Sequence, residues 1–215
     1  MEQIEALLSN ITVNTHSSIR ILAGDRVLYI DPFRLRSAPR DADVIFVTHD
    51  HFDHFSPEDV EKVGKPETVF VMPESTAALA GEVVAGRPVI RVAPGERGEV
   101  LGLHFETVPA YNPAKPFHPR QNSWVGYVLT VDGLRVYVAG DTDATDEAAA
   151  VACDVALVPI GGKYTMDAGE AAGLVDRLQP RAVIPVHYGT VAGSPREFDR
   201  FVKDLQTGVR VCRKV

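Results

Sequence analysis

The sequence predicts an α+β chain in which two similar β/α halves pack sheet on sheet with helices outside. That is a four-layer αββα sandwich, with residues 1–215 forming a single domain. Two observations point there. Short apolar runs bounded by turn residues alternate with helix-like segments along the whole chain. The order of these runs also repeats. A hairpin, Asp31, the run DVIFV from Asp43 and the run VFVMPE from Val69 are echoed later in the chain. The echo is a hairpin, Asp141, DVALV from Asp154 and VIPVHY from Val183. The first aspartate precedes the second by 12 residues in one half and 13 in the other.

Each element has a local reason. Residues 2–9 read as an amphipathic helix with Ile4, Leu7 and Leu8 on one face. Runs 18–22 and 26–30 are strands joined through Gly24-Asp25, which suits a tight hairpin. Residues 43–48 form a nearly continuous apolar strand, as expected where both faces are covered. Ser56 caps a helix whose first turn holds Pro57, Glu58 and Asp59. Then come a buried strand at 69–72 and a helix at 74–80, followed by strands 89–93 and 100–110 around a Pro94-Gly95 turn. A second hairpin, 125–131 with 134–139, turns at Asp132-Gly133. Strands 155–159 and 182–186 flank a helix at 168–178, and a last helix spans 195–205. The longest irregular stretch is 111–122, which holds three prolines. Loops of that length in compact folds are often functional.

Composition excludes several classes. A formal net charge of −7 argues against a general nucleic-acid surface. No apolar run approaches the ~18–20 residues needed to span a bilayer. Glu2 and Glu5 stand where a signal peptide would carry basic residues. The two cysteines, Cys153 and Cys212, lie far apart and in no CxxC spacing. They imply a reducing, cytoplasmic setting rather than a disulfide scaffold.

The chemistry is concentrated in Thr48-His49-Asp50-His51-Phe52-Asp53-His54, directly after a buried strand. Imidazole with carboxylate suits Zn²⁺, Fe or Mn better than Mg²⁺ or Ca²⁺. His49 and His51 share one direction if the turn stays extended, whereas Asp53 and His54 lie past the bend and reach another position. Asp141 follows Gly140, which lets the backbone turn sharply, and a carboxylate there has two oxygens to offer. His187 stands at the end of an apolar strand.

His49-x-His51-x-Asp53-His54 resembles the HxHxDH signature of metallo-β-lactamase-fold hydrolases. Asp31 in Ile30-Asp31-Pro32-Phe33 resembles the aspartate that precedes this signature, and Gly140-Asp141-Thr142 the motif whose aspartate bridges two metals. Ile184-Pro185-Val186-His187-Tyr188-Gly189 is similar to the strand carrying the last histidine. Within the superfamily, the Gly161-Gly162-Lys163-Tyr164-Thr165-Met166 loop and His16-Ser17-Ser18 are similar to one branch. That branch contains L-ascorbate-6-phosphate lactonase and N-acyl-phosphatidylethanolamine phospholipase D. The resemblance implies metal ligation by His49, His51, Asp53, His54, Asp141 and His187. One or two divalent ions are implied, zinc foremost, with Mn, Fe or Ni as alternatives. Asp31 is expected to hold a ligand histidine from behind rather than bind metal.

One departure stands out. The family usually supplies another histidine before the GD motif, and 108–112 (VPAYN) has none. A first metal set of His49, His51 and Asp141 is therefore expected to be the weaker. Asn112, or an exposed His118 held between prolines, is a candidate to complete it or to touch substrate. Lys115, Arg120 and Lys163 are candidate anion-binding groups. His16 is left between a site and a loop role, and His104 is expected to face solvent.

The implied activity is metal-dependent hydrolysis, by a metal-activated hydroxide, of a small ester, lactone or phosphodiester. Asp53 would be the catalytic carboxylate, orienting the hydroxide or shuttling its proton. Alternatives are a nuclease-type phosphodiesterase, or a non-catalytic metal-binding or sensor protein with an incomplete first site. No GxSxG elbow or Walker spacing supports other hydrolytic chemistries. The partner expected is a small-molecule substrate; oligomeric state is not legible.

Overall fold

A computed structural model describes residues 2–215. After helix α1 (Glu2–Asn10), the first sheet has six strands ordered β1 (Ile11–Thr15), β2 (Ser18–Ala23), β3 (Arg26–Ile30), β4 (Val44–Phe46), β5 (Val69–Pro73) and β6 (Val89–Val92). The second holds β7 (Arg97–Val100), β8 (Leu103–Pro109), β9 (Val125–Val131), β10 (Leu134–Val138), β11 (Val155–Pro159), β12 (Ala182–Val186) and β13 (Arg210–Val211), ordered β13-β12-β11-β10-β9-β8-β7. The sheets face each other across a shared core. Val44 and Phe46 of β4 meet Val155 and Leu157 of β11 in that cluster. The intervening residues point outward: Ile45 toward α2 (Pro57–Val63) and α3 (Glu74–Ala80), Ala156 toward α5 (Ala168–Leu178) and α6 (Glu197–Asp204). Period-two alternation with both faces apolar is what makes these strands read as unbroken hydrophobic runs. The four-layer α+β sandwich follows.

The halves are alike in hydrogen bonding as well as in order. Each has an antiparallel hairpin whose second strand starts a parallel run: β2-β3 then β4-β5-β6, and β9-β10 then β11-β12-β13. The repeated aspartates occupy equivalent places. Asp43 accepts from the Val27 N–H through Oδ2 at 2.8 Å, and Asp154 accepts from the Arg135 N–H at 2.9 Å. Each staples the second hairpin strand to the next parallel one.

Some elements depart from the expectations. Strand β1 is short and has only Ile11 and Val13 buried, too weak a period-two pattern to stand out. The 100–110 run is two pieces, because Leu101 and Gly102 take φ of 50° and 84° and turn β7 back onto β8. Pro94-Gly95 therefore carries the chain from one sheet to the other instead of closing a hairpin. Helix α4 is confined to Asp146–Ala149 because Thr145 caps it, accepting from the Ala148 N–H.

Candidate metal centre

The ends of both sheets deliver the chemical side chains to one place. Asp31 follows β3, the 48–54 turn follows β4, Asp141 follows β10 and His187 follows β12. His16 lies in the β1–β2 turn and His118 in the loop after β8. His16, Asp31 and His187 have φ of 54°, 49° and 57°. Left-handed backbone at non-glycine residues clusters at functional sites, where the surrounding structure must hold it.

Three sets of residues that could hold a metal ion form. The ring nitrogens of His49, His51 and His118 lie within 4.8 Å of one another, and so do donor atoms of His16, Asp53, His54 and His187. A third set, His49, His54 and Asp141, joins them. His49 Nε2 is 3.1 Å from His51 Nδ1. Asp141 sits at the centre: its Oδ2 is 3.2 Å from His118 Nε2 and 3.0 Å from His187 Nε2, and its Oδ1 is 3.3 Å from His54 Nε2. His54 Nε2, His118 Nε2, His187 Nε2 and Asp141 Oδ1 are all buried, close together, and aligned for no hydrogen bond. Convergent lone-pair donors left without hydrogen bonds fit a cation, so the residues present suit a divalent metal.

Behind this set, hydrogen bonds fix which nitrogen faces inward. Asp31 accepts from the Thr48 N–H at 2.8 Å and from the Thr48 hydroxyl at 2.6 Å, and its Oδ2 is 2.7 Å from His54 Nδ1. With its proton given to Asp31, the Thr48 oxygen is free to accept from His49 Nδ1, 2.9 Å away. His54 and His49 thus turn Nε2 to the centre. His118 Nδ1 faces Asn112 Oδ1 at 2.8 Å and the Tyr164 carbonyl at 3.1 Å, leaving its Nε2 for Asp141. His16 Nε2 reaches Asp53 Oδ2 at 3.1 Å, and Thr190 Oγ1 is 3.2 Å from His16 Nδ1.

The electrostatics follow from burial among like and unlike charges. Burial, with His54 nearby, keeps the His49 ring neutral, its pKa well below the usual histidine value. Burial also lowers His16, to about 4, although Asp53 pulls the other way. A neutral His16 donates through Nε2 and accepts from the Thr190 hydroxyl through Nδ1. For Asp53, burial raises the pKa but the His16 hydrogen bond and the His54 charge outweigh it, bringing it to about 2. Burial opposes charge on Asp141 and His54 too, yet their proximity to opposite charges holds Asp141 ionised and raises His54.

A cavity of about 480 Å³ opens over the cluster. His51, Asp53, His118, Asp141 and His187 form its floor, and Phe52, Pro116, Phe117, Tyr164 and Val191 its walls.

The structure thus gathers His49, His51, Asp53, His54, Asp141 and His187, and it places Asp31 behind His54. It corrects the reading of His118. That residue is 1% exposed rather than on the surface, because two hydrogen bonds to Asn112 fold the loop inward. His118 brings a third imidazole to His49 and His51, so that set does not lack a histidine. Asn112 stands behind His118 and does not line the cavity. Lys115 and Arg120 are not free for an anion. Lys115 pairs with Asp143 at 2.6 Å and Glu170 at 3.4 Å, and Arg120 pairs with Glu147 at 2.7 Å. Lys163 is exposed, 4.9 Å from the centroid of the Tyr164 ring, and does not line the cavity. The sequence reading did not find Thr48, Thr190 or Trp124, whose ring centroid is 4.9 Å from those of His49 and His51. The only signal for Thr48 was its place next to His49.

Fold and site together define a class: an αββα protein with a histidine–aspartate centre for metal-dependent hydrolysis. Residues 10–187 match the model of the beta-lactamase superfamily domain, and the chain belongs to that superfamily. It is 32% identical over 206 residues to a UPF0173 metal-dependent hydrolase of Thermococcus onnurineus, covering 88% of this chain and 90% of the relative. Another from Aeropyrum pernix is 32% identical over 235 residues, covering 96% and 95%. The chain is thus a member of the UPF0173 metal-dependent hydrolase family. Among solved structures, a metallo hydrolase from Ignicoccus hospitalis superposes with a TM-score of 0.74 at 25% identity, covering 95% of this chain and 94% of its own. A protein from Parabacteroides distasonis gives 0.79 at 28%, covering 94% and 91%. No helix among the described residues is long and apolar enough to cross a membrane.

Proposed function

We propose that the chain hydrolyses a small ester or lactone at two adjacent divalent metal positions, zinc being the ion that suits the donors best. One position draws on His49, His51, His118 and Asp141; the other on Asp53, His54, His187 and Asp141. The observation that carries this is Asp141, whose two oxygens face Nε2 of three histidines from both sets, none of those nitrogens making a hydrogen bond. A divalent metal held there supplies Lewis acidity and a lowered pKa for water.

The protein's own groups do the rest. His49 and His54 are fixed by Thr48 and Asp31, so the donors need no reorganisation. Asp53 lines the cavity, and at a pKa of about 2 it stays a carboxylate that accepts a hydrogen bond from the attacking water. His16 holds that carboxylate in place through Nε2 and is a positioning residue. In the reaction the water oxygen bonds to the carbonyl carbon, the carbon–oxygen bond breaks, and the water proton passes to the departing oxygen. A phosphodiester substrate, the other member of the class, is less well served by a cavity whose lining holds no lysine or arginine. The likeness to the ascorbate-phosphate lactonase branch is therefore read for its lactone chemistry rather than its phosphate. Two free cysteines agree with action in a reducing, cytoplasmic setting.

The test combines metal analysis with turnover. Purified protein is loaded with Zn²⁺ or Mn²⁺ and assayed on chromogenic esters, lactones, phosphodiesters and phosphomonoesters. We expect two ions per chain, hydrolysis of carbonyl substrates, and loss of both in Asp141→Ala. His118→Ala should retain one ion. Full metal content without turnover on any substrate would point instead to a binding or sensing role.

A further inference from the structure

We infer that the substrate is a neutral carbonyl ester or lactone carrying a planar apolar group, gripped between Phe52 and the Phe117–Tyr164 pair. This rests on the hydrolytic reading above and narrows it to one substrate class.

Phe52 is 66% exposed, yet it stands between two residues of the cluster, His51 and Asp53. A large aromatic side chain left in water costs solvation and is commonly a contact surface. Its position is supported: the ring meets Phe33 edge to face at 6.0 Å, and Phe33 is buried, its N–H donating to Ser18 Oγ at 3.1 Å. Also lining the cavity, Phe117 meets Tyr164 edge to face at 4.8 Å. That pair is tied to the centre, because the Tyr164 carbonyl accepts from His118 Nδ1. Pro116 and Val191 complete apolar walls. Apart from the Tyr164 hydroxyl, the polar side chains of the lining are those of the histidine–aspartate cluster, where the reacting carbonyl would sit.

Charge favours a neutral substrate over an anionic one. Recognition of a phosphate or a free carboxylate away from the metal floor would call for an arginine, a lysine or a helix N-terminus. The cavity lining contains neither cation; both cations of the 111–122 loop are bound to carboxylates, and Lys163 packs against the Tyr164 ring outside the lining. A flat ring stacked on Phe52 gains apolar burial at small entropic cost, since the walls are already in place.

Four probes separate aryl group from charge: isochroman-3-one (neutral, aryl, alkoxide leaving group), δ-valerolactone (neutral, no aryl, alkoxide leaving group), bis(4-nitrophenyl) phosphate (anionic, aryl) and a sugar phosphate lactone (anionic, no aryl). With metal-loaded protein, kcat/KM should be highest for isochroman-3-one, by roughly tenfold or more over δ-valerolactone, whose leaving group is of the same kind. Phe52→Ala should remove most of that ratio, chiefly through KM, with metal content kept, and Phe52→Tyr should preserve it. Faster turnover of either anionic probe, or an unchanged ratio in Phe52→Ala, would overturn the inference while leaving hydrolysis intact. Equilibrium binding of coumarin to metal-free protein, which by the reading above cannot hydrolyse it, followed by quenching of Trp124, the single tryptophan, gives a readout independent of turnover. If no probe is turned over but coumarin binds and Phe52→Ala weakens it about tenfold, the aromatic clamp stands and the hydrolytic reading falls. No coumarin binding together with no turnover overturns both.

Discussion

At the scale of single residues, the HxHxDH turn could be read from the chain because its histidines and aspartate are close together and follow an apolar strand. His118 could not be placed that way. It lies in an irregular loop, and it reaches the centre only because Asn112 and His118 close that loop through a 2.8 Å backbone bond and two contacts to Asn112 Oδ1. No periodicity encodes such a closure. His16 was half legible: its position before a strand was visible, its pairing with Asp53, 37 residues on, was not. That pairing makes a prediction. His16→Ala should lower kcat by about 10–100-fold while metal content stays the same, because Asp53 loses the donor that orients it. His16→Gln, whose amide can donate to the same oxygen, should recover part of the loss. If His16→Ala instead releases an ion, His16 is a ligand of the set it shares with Asp53, His54 and His187.

Elements were legible where packing and local chemistry agree. Helix α5 matches its expected span because Asp167 and Glu170 form a reciprocal capping box at its start. Strands covered on both faces, β4, β5, β11 and β12, were found for the same reason: their apolar runs have no other use. Short edge strands such as β1 and β13 were missed because pairing with a neighbour, not their own pattern, makes them strands. The start of α2 holds a second kind of information. Asp59 turns back to accept from the Arg34 and Leu35 N–H groups at 2.8 and 2.9 Å, and Lys62 lies 2.9 Å away. Burial raises its pKa, but Lys62 and the backbone donors more than offset this and hold it below the ordinary value. A depressed carboxylate contributes stability that is fully present above the unfolded pKa, about 3.9, and is lost as pH falls through the folded value. Asp59→Asn should therefore cost about 2 kcal/mol in denaturant unfolding at pH 7. The gap to the parent protein should narrow below about pH 4. A gap that is constant with pH would mean that shape, not charge, is what α2 loses.

For the whole molecule, the centre spans both halves of the repeat. His49, His51, Asp53 and His54 come from the end of the first sheet, and Asp141 and His187 from the second, with His118 on the loop between β8 and β9. Ions held there would tie the sheets together at one edge, in addition to the core they already share. Binding to the folded state alone stabilises it by mass action, about 4 kcal/mol when free metal exceeds Kd a thousandfold. For a chain of this size each kcal/mol moves Tm by about 2–4 °C. At about 4 kcal/mol for each of two ions, chelation of the loaded protein should therefore lower Tm by about 16–32 °C, and adding back Zn²⁺ should restore it. The shift should fall by about half in His118→Ala, which keeps one set, and vanish in Asp141→Ala, which spoils both. If metal analysis shows the ions gone and Tm has not moved, the two halves are held by their apolar core alone. The centre would then be a site mounted on a finished fold, with no part in joining it.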